Sequence, residues 1–148
     1  MTTITNVVTA IVENRRHYAQ TDSEITELIR TIVDDDHGDW PSLIYVCDRP
    51  LTADNSELPG HQLRVMVEPG TGYGALNWFQ EGSDGDARDS FNPHAPDDAP
   101  RILFSPHSGT EFRQNAALPI DLIRTAIDEF IHTGQRPTCV HWQLAEWY

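Results

Sequence analysis

Two stretches of the chain place apolar residues at helical spacing. Ile25, Leu28, Ile29, Ile32 and Val33 fall at i, i+3, i+4, i+7 and i+8, one continuous stripe on an amphipathic helix. Thr21 and Glu24 ahead of it have the spacing of a capping box, in which hydroxyl and carboxylate satisfy each other's backbone N–H. The helix is expected to stop at Asp34-Asp35-Asp36, whose charges oppose the negative end of the helix dipole; Gly38 lies just beyond. The second stripe is Ile120, Ile123, Ala126, Ile127, Phe130 and Ile131. Pro119 suits its first position and Asp121 its first turn, while Gly134 and Pro137 end it. Burying four large side chains of this stripe contributes roughly 6–12 kcal/mol before entropy, at ~1.5–3 each.

Elsewhere the pattern is that of strands. Ile4 to Glu13 is rich in Val, Ile and Thr and predicts a first strand, followed by a polar turn through Arg15 and Arg16. Ser42 to Cys47 is compact and apolar, and Leu63, Val65 and Val67 alternate with Arg64 and Met66. Gly72 to Gln80 carries Tyr73, Leu76, Trp78 and Phe79 with two glycines, which predicts a strand that bends or bulges. Glu68 to Gly74 reads as a hairpin turn. Arg101–Phe104 and Thr110–Arg113 predict short strands around a turn at Pro106–Gly109. Cys139, Val140 and Trp142 predict a last strand, expected beside an early one. Asp48–Gly60 and Glu81–Pro100 are polar connections, and the second is long enough for a functional or mobile loop. The element order predicts an α+β fold, one mainly antiparallel sheet of about six or seven strands with two helices packed on one face.

With 148 residues the chain suits one domain. Its 10 basic residues, all arginine, face 23 acidic ones, a net charge of −13. Phosphate backbones and anionic lipid need a positive footprint, so neither nucleic acid nor membrane is an expected partner. A basic partner fits; so does plain solubility. No stretch approaches the ~20 apolar residues that cross a membrane. The N-terminus lacks the basic start and apolar run of a secretory signal, and the expected location is cytoplasmic. Cys47 and Cys139 have neither metal-ligand nor redox spacing and are expected to be buried, reduced thiols.

Candidate chemistry is sparse. Asp34-Asp35-Asp36-His37-Gly38-Asp39 lacks the alternating ligands and twelfth-position glutamate of a calcium loop. Asp84, Asp86 and Asp89 sit around glycine in an order that fits no better. His94 and His107 each follow a proline with no metal-binding partner nearby. There is no Gly-x-Ser-x-Gly elbow, and Gly70–Gly74 lacks the lysine and spacing of a phosphate loop. No enzyme, cofactor or metal is expected. Trp40, Trp78, Trp142 and Trp147 read as core or rim residues; Trp147-Tyr148 either meets a partner or folds back on the sheet.

The helix ending Phe130-Ile-His-Thr-Gly-Gln-Arg-Pro137, followed by Val140-His-Trp142, resembles the Immunity protein 1 family of bacterial polymorphic-toxin antidotes. Trp40-Pro-Ser-Leu43, Gly72-Tyr-Gly-Ala-Leu-Asn-Trp78, Phe91-Asn-Pro93 and Phe104 to Pro119 are similar to that family in order, so the resemblance spans roughly Trp40 to Trp142. It implies an immunity protein that binds and inhibits a cognate secreted toxin, one acting on nucleic acid such as a deaminase or nuclease, without catalysis. Such a toxin has a basic cleft that an acidic inhibitor occupies, with charge raising the association rate. Charge and loop length, rather than the resemblance, nominate Asp34, Asp35, Asp36, Asp84, Asp86 and Asp89 as contacts. The alternative is a small-ligand or metal-dependent enzyme with its site under the 81–100 loop.

Overall fold

The first two strands form a hairpin, β1 (Val7–Val12) and β2 (Arg15–Ala19), closed by Glu13 and Asn14, both with positive φ, 51° and 66°. Two successive left-handed residues make the turn whose twist matches a two-residue hairpin. The turn therefore precedes the arginines instead of running through them, and Arg15 and Arg16 start a polar edge strand. The computed structural model describes residues 6–52, 59–82 and 86–145.

Helix α1 (Asp22–Asp34) follows, opened by the expected capping box: Thr21 Oγ1 accepts from the Glu24 N–H and Glu24 accepts from the Thr21 N–H. Strands β3 (Ser42–Cys47), β4 (His61–Glu68), β5 (Tyr73–Gln80) and β6 (Asp86–Phe91) form a meander. A two-residue strand β7 (Leu118–Pro119) leads into α2 (Ile120–Thr133), and β8 (His141–Leu144) ends the order. Every pairing is antiparallel, in the order β2-β1-β3-β4-β5-β6-β8, with β7 against the start of β5. The fold is α+β, as the pattern predicts. Among the described residues no helix is long and apolar enough to cross a membrane.

Both helices lie on one face. Ile25, Leu28, Ile29, Ile32 and Val33 of α1 and Ile123, Ala126, Ile127, Phe130 and Ile131 of α2 pack on Val8, Ala10, Ile44, Val46, Leu63, Val65, Leu76 and Trp78. Gly134, in the left-handed conformation, ends α2 with its N–H on Phe130 O at 2.7 Å. The opposite face carries a smaller core. Met66 and Ala75 meet Ala99, Ile102, Phe112, Ala116 and Ala117 of the segment that runs back from β6 to β7. Near β1 the same face is crossed by Leu51, whose N–H bonds Thr9 Oγ1 and whose carbonyl accepts from Tyr18.

Five expectations change here. The 81–100 connection contains β6, a strand with a single large apolar residue that owes its conformation to neighbours on both edges. The last strand pairs with β6 at the far edge, away from β1. β5 pairs residue for residue with β4 along all eight positions and carries no bulge; its Gly74 serves close approach instead. Arg101–Phe104 and Thr110–Arg113 form one isolated bridge, Leu103 to Glu111, rather than two strands. Cys139 is exposed and Cys47 half-buried, because Cys139 falls in the turn before β8.

A candidate interaction surface

The acidic run at the end of α1 is built to be held in place. No basic residue lies in the last turn of α1, so the helix end needs compensation from elsewhere. Arg124 of α2 supplies one part, donating to both carboxylate oxygens of Asp34 at 2.7 and 3.3 Å. That hydrogen bond holds the Asp34 carboxyl below its ordinary range. Buried His37 supplies another: its Nε2–H lies 2.8 Å from Thr31 O and 3.2 Å from Ile32 O, capping carbonyls the helix leaves open. Asp36 Oδ1 accepts the Gly38 N–H at 2.9 Å, and Gly38 turns the chain with φ 61°. Asp35 and Asp36 stay exposed.

The turn delivers Asp39 and Trp40 to the end of the sheet where β4 meets β5. Trp40 is 41% exposed and stands edge-on to the His107 ring, 6.0 Å between centroids. Glu68, at the end of β4, feels two further carboxylates that come from other segments. Burial raises the Glu68 carboxyl above its ordinary value, and the charges of Glu111 and Asp39 raise it further. These three come from the α1–β3 turn, the end of β4 and the bridge after Phe104. No single segment holds two of them, so the cluster has no local sequence signal. Asp39 stood in the acidic run, but Glu68 and Glu111 were not recognisable as its neighbours.

Of the other nominated residues, Asp89 lies away from this surface. Asp84 lies outside the described residues. Asp86 opens β6, its backbone in register with Gln80. Asp89 is a buried residue, 2% exposed, on the sheet face opposite the helices. Its Oδ1 accepts from Asn77 Nδ2 at 2.9 Å, and its Oδ2 lies 3.7 Å from Arg113. Asp89 thus ties the returning segment to the sheet, where a loop carboxylate was expected. Within the 81–100 connection, residues 86–91 are a paired strand.

Among the described residues no three His, Cys, Asp or Glu side chains converge to hold a metal ion. The Cys139 thiol is pushed up to about 11 by burial and by the Glu129 carboxylate, so it is protonated at neutral pH and a poor nucleophile. Burial likewise raises Cys47. What the molecule does present is an acidic end with an exposed aromatic ring.

A family model described as "Immunity protein Imm1" matches residues 13–144 of the 148. The match takes in every element from β2 to β8, including Trp40, Glu68 and Glu111. A search of curated proteins finds no match.

Proposed function

The chain belongs to the Imm1 family of immunity proteins, and on that premise we propose that it silences a toxin acting on nucleic acid by covering the toxin's basic cleft with its acidic end. An immunity role implies a cognate toxin protein as partner. The deaminase or nuclease chemistry of that toxin, and the cytoplasm of the producing cell as the place of action, belong to our reading.

The observation that carries the reading is an end of the molecule where Trp40 is exposed and Glu68 feels the charges of Glu111 and Asp39. Like charges held together cost the free chain stability and gain it nothing internally. A cationic partner reverses the sign of that term. Long-range attraction between the −13 chain and a basic cleft then accelerates encounter, while the exposed aromatic ring, once desolvated, slows departure. The protein acts by occupancy, with no turnover of its own. Asp35 and Asp36 extend the acidic end; Asp34, committed to Arg124, serves mainly to lock the two helices.

The test is a titration of the cognate toxin's catalytic domain at low and high salt. Nanomolar or tighter binding that weakens with salt, together with rescue of toxin-expressing cells, is the expected result. Glu68→Gln with Glu111→Gln slows association about tenfold, and Trp40→Ala speeds dissociation by a similar factor. Tight binding indifferent to salt and to these substitutions removes the acidic end from the mechanism. No binding removes the reading.

A further inference from the structure

The sheet ends on one side in an open ladder. β2 pairs with β1 along one edge, and among the described residues no strand pairs with the other. Val12 and Arg15 flank the two-residue turn as a hydrogen-bonded pair, and the pairs alternate from there, so Ala10 and His17 form the next. The N–H and C=O of Arg16 and Tyr18 therefore point outward, away from β1. Neither N–H meets an acceptor among the described residues.

Two features say what suits this edge. The first is charge. Arg15 and Arg16 are exposed, with no ion-pair partner among the described residues, whereas Arg30, Arg113 and Arg124 face Glu27, Asp89 and Asp34. Glu13, in the turn beside them, lies 3.7 Å from His37 Nδ1 instead. A chain of net charge −13 thus sets two adjacent arginines on its open strand. Charges on an edge strand keep like strands away. Antiparallel pairing with the β2 of a second copy would gather four arginines into one short ladder, which disfavours that occupant. The same arginines attract an acidic strand. At ~0.1 M salt the screening length is about 10 Å, so the arginines at the edge outweigh more distant carboxylates.

The second feature is the flank. His17 shares the helix face with buried Ala19, and a cleft of about 320 Å³ runs between this strand and α1. Among the described residues its lining includes His17, Leu28 and Thr31 together with Glu24 and Glu27. Those two carboxylates make the cleft a poor place for an acid. Alternate side chains of an added strand point to opposite faces, so its acids belong on the face of Arg16 and Tyr18 and its neutral residues over the cleft.

We propose that β2 is a docking edge for an extended acidic segment of a partner protein. The segment adds a strand through the outward N–H and C=O groups of Arg16 and Tyr18 and sets its carboxylates against Arg16, with Arg15 adding to the local positive charge.

The experiment is a titration of the full chain, followed by proton–nitrogen NMR and amide hydrogen exchange. The probe is a short blocked peptide alternating Glu with Val. Its controls are the same peptide with Lys for Glu and one with an N-methylated backbone. Saturable shifts of the Arg16 and Tyr18 amides are expected with the acidic peptide alone. At about ten times its dissociation constant, exchange of those two amides slows about tenfold, while Arg15 and His17, already bonded to β1, change little. Arg15→Gln with Arg16→Gln weakens binding about three- to tenfold, the scale of two exposed ion pairs. No saturable shift, equal binding of the lysine peptide, or an unchanged affinity in the variant overturns the proposal. Slow exchange of Arg16 and Tyr18 in the dilute free chain would show the edge covered from within, and slowing with protein concentration would assign it to a second copy; either result overturns it too. No toxin enters the titration, so its failure is separate from any failure of the antidote reading.

Discussion

Gly74 shows how tightly a single position is specified. A Cβ there would stand 2.9 Å from Met66 O, with Ile123 Cγ1 at 3.2 Å and Val67 Cγ1 at 3.3 Å. The nearest obstacle is backbone of the paired strand β4, near the turn end of the β4–β5 ladder, which cannot step aside without losing hydrogen bonds. Gly74→Ala is expected to cost about 1–3 kcal/mol in urea denaturation, as overpacking does in a filled core. His61 is specified by protonation. Its Nε2 accepts the Val46 N–H at 3.1 Å, so the folded state needs the neutral ring, and burial lowers its pKa below the ordinary 6.5. Because the unfolded chain then binds the extra proton more readily, this contribution is complete above pH 6.5 and shrinks as pH falls below it. Urea midpoints between pH 7.5 and 5.5 should fall less in His61→Gln than in the parent. Asp89→Ala removes one of the acceptors of the Asn77 amide, which keeps the Arg88 carbonyl, and costs about 1–3 kcal/mol, while binding of the toxin by the folded fraction stays unchanged.

At the scale of elements, the two helices end differently, and each ending has a consequence. α1 starts with a complete capping box, so Thr21→Ala should lower stability by about 1 kcal/mol. It ends in acid, and its end is stabilised by Arg124 and His37 from outside the last turn. The Arg124–Asp34 pair is half exposed and worth less than about 1 kcal/mol, so its loss should be felt more in the angle between helices than in the midpoint. α2 ends on Gly134 with a left-handed cap, and the turn beyond is pinned by Glu129. Hydrogen bonds from Thr138 and Cys139 hold the Glu129 carboxyl below its ordinary range. Glu129→Ala should therefore raise hydrogen-exchange rates across residues 135–140 while leaving those of α2 little changed. A uniform rise over helix and turn would mean that the clamp supports the whole element.

At the scale of the molecule, salt should act in opposite directions on the free chain and on its complex. With a net charge of −13 the free chain repels itself, and screening relieves that repulsion. Going from ~0.01 M to ~1 M salt shortens the screening length from about 30 Å to about 3 Å. Thermal unfolding of the free chain should move upward over that range, while affinity for the toxin falls. If salt stabilises both, the acidic end is not where the toxin sits, because attraction across that interface would be screened together with the self-repulsion.

Much of this architecture is local and can be read from the chain. Each helix carries its stripe, its cap and its stop within about fifteen consecutive residues, as do β3, β4 and β5, because periodicity and capping are short-range geometry. What the chain hides is what depends on partners distant in sequence. β6 has too few apolar residues to announce itself, and becomes a strand only because β5 and β8 offer ladders on both sides. β2 is polar because it is an edge. Asp89 looks like any loop carboxylate until Asn77 and Arg113 arrive to enclose it. The acidic surface follows the same rule. Sequence determined that the molecule would be acidic and where its helix would end in three aspartates, since composition and local charge are properties of the chain. Only the tertiary structure decided that Asp39, Glu68 and Glu111 share one end with Trp40, because electrostatic interaction depends on distance through space and not along the chain.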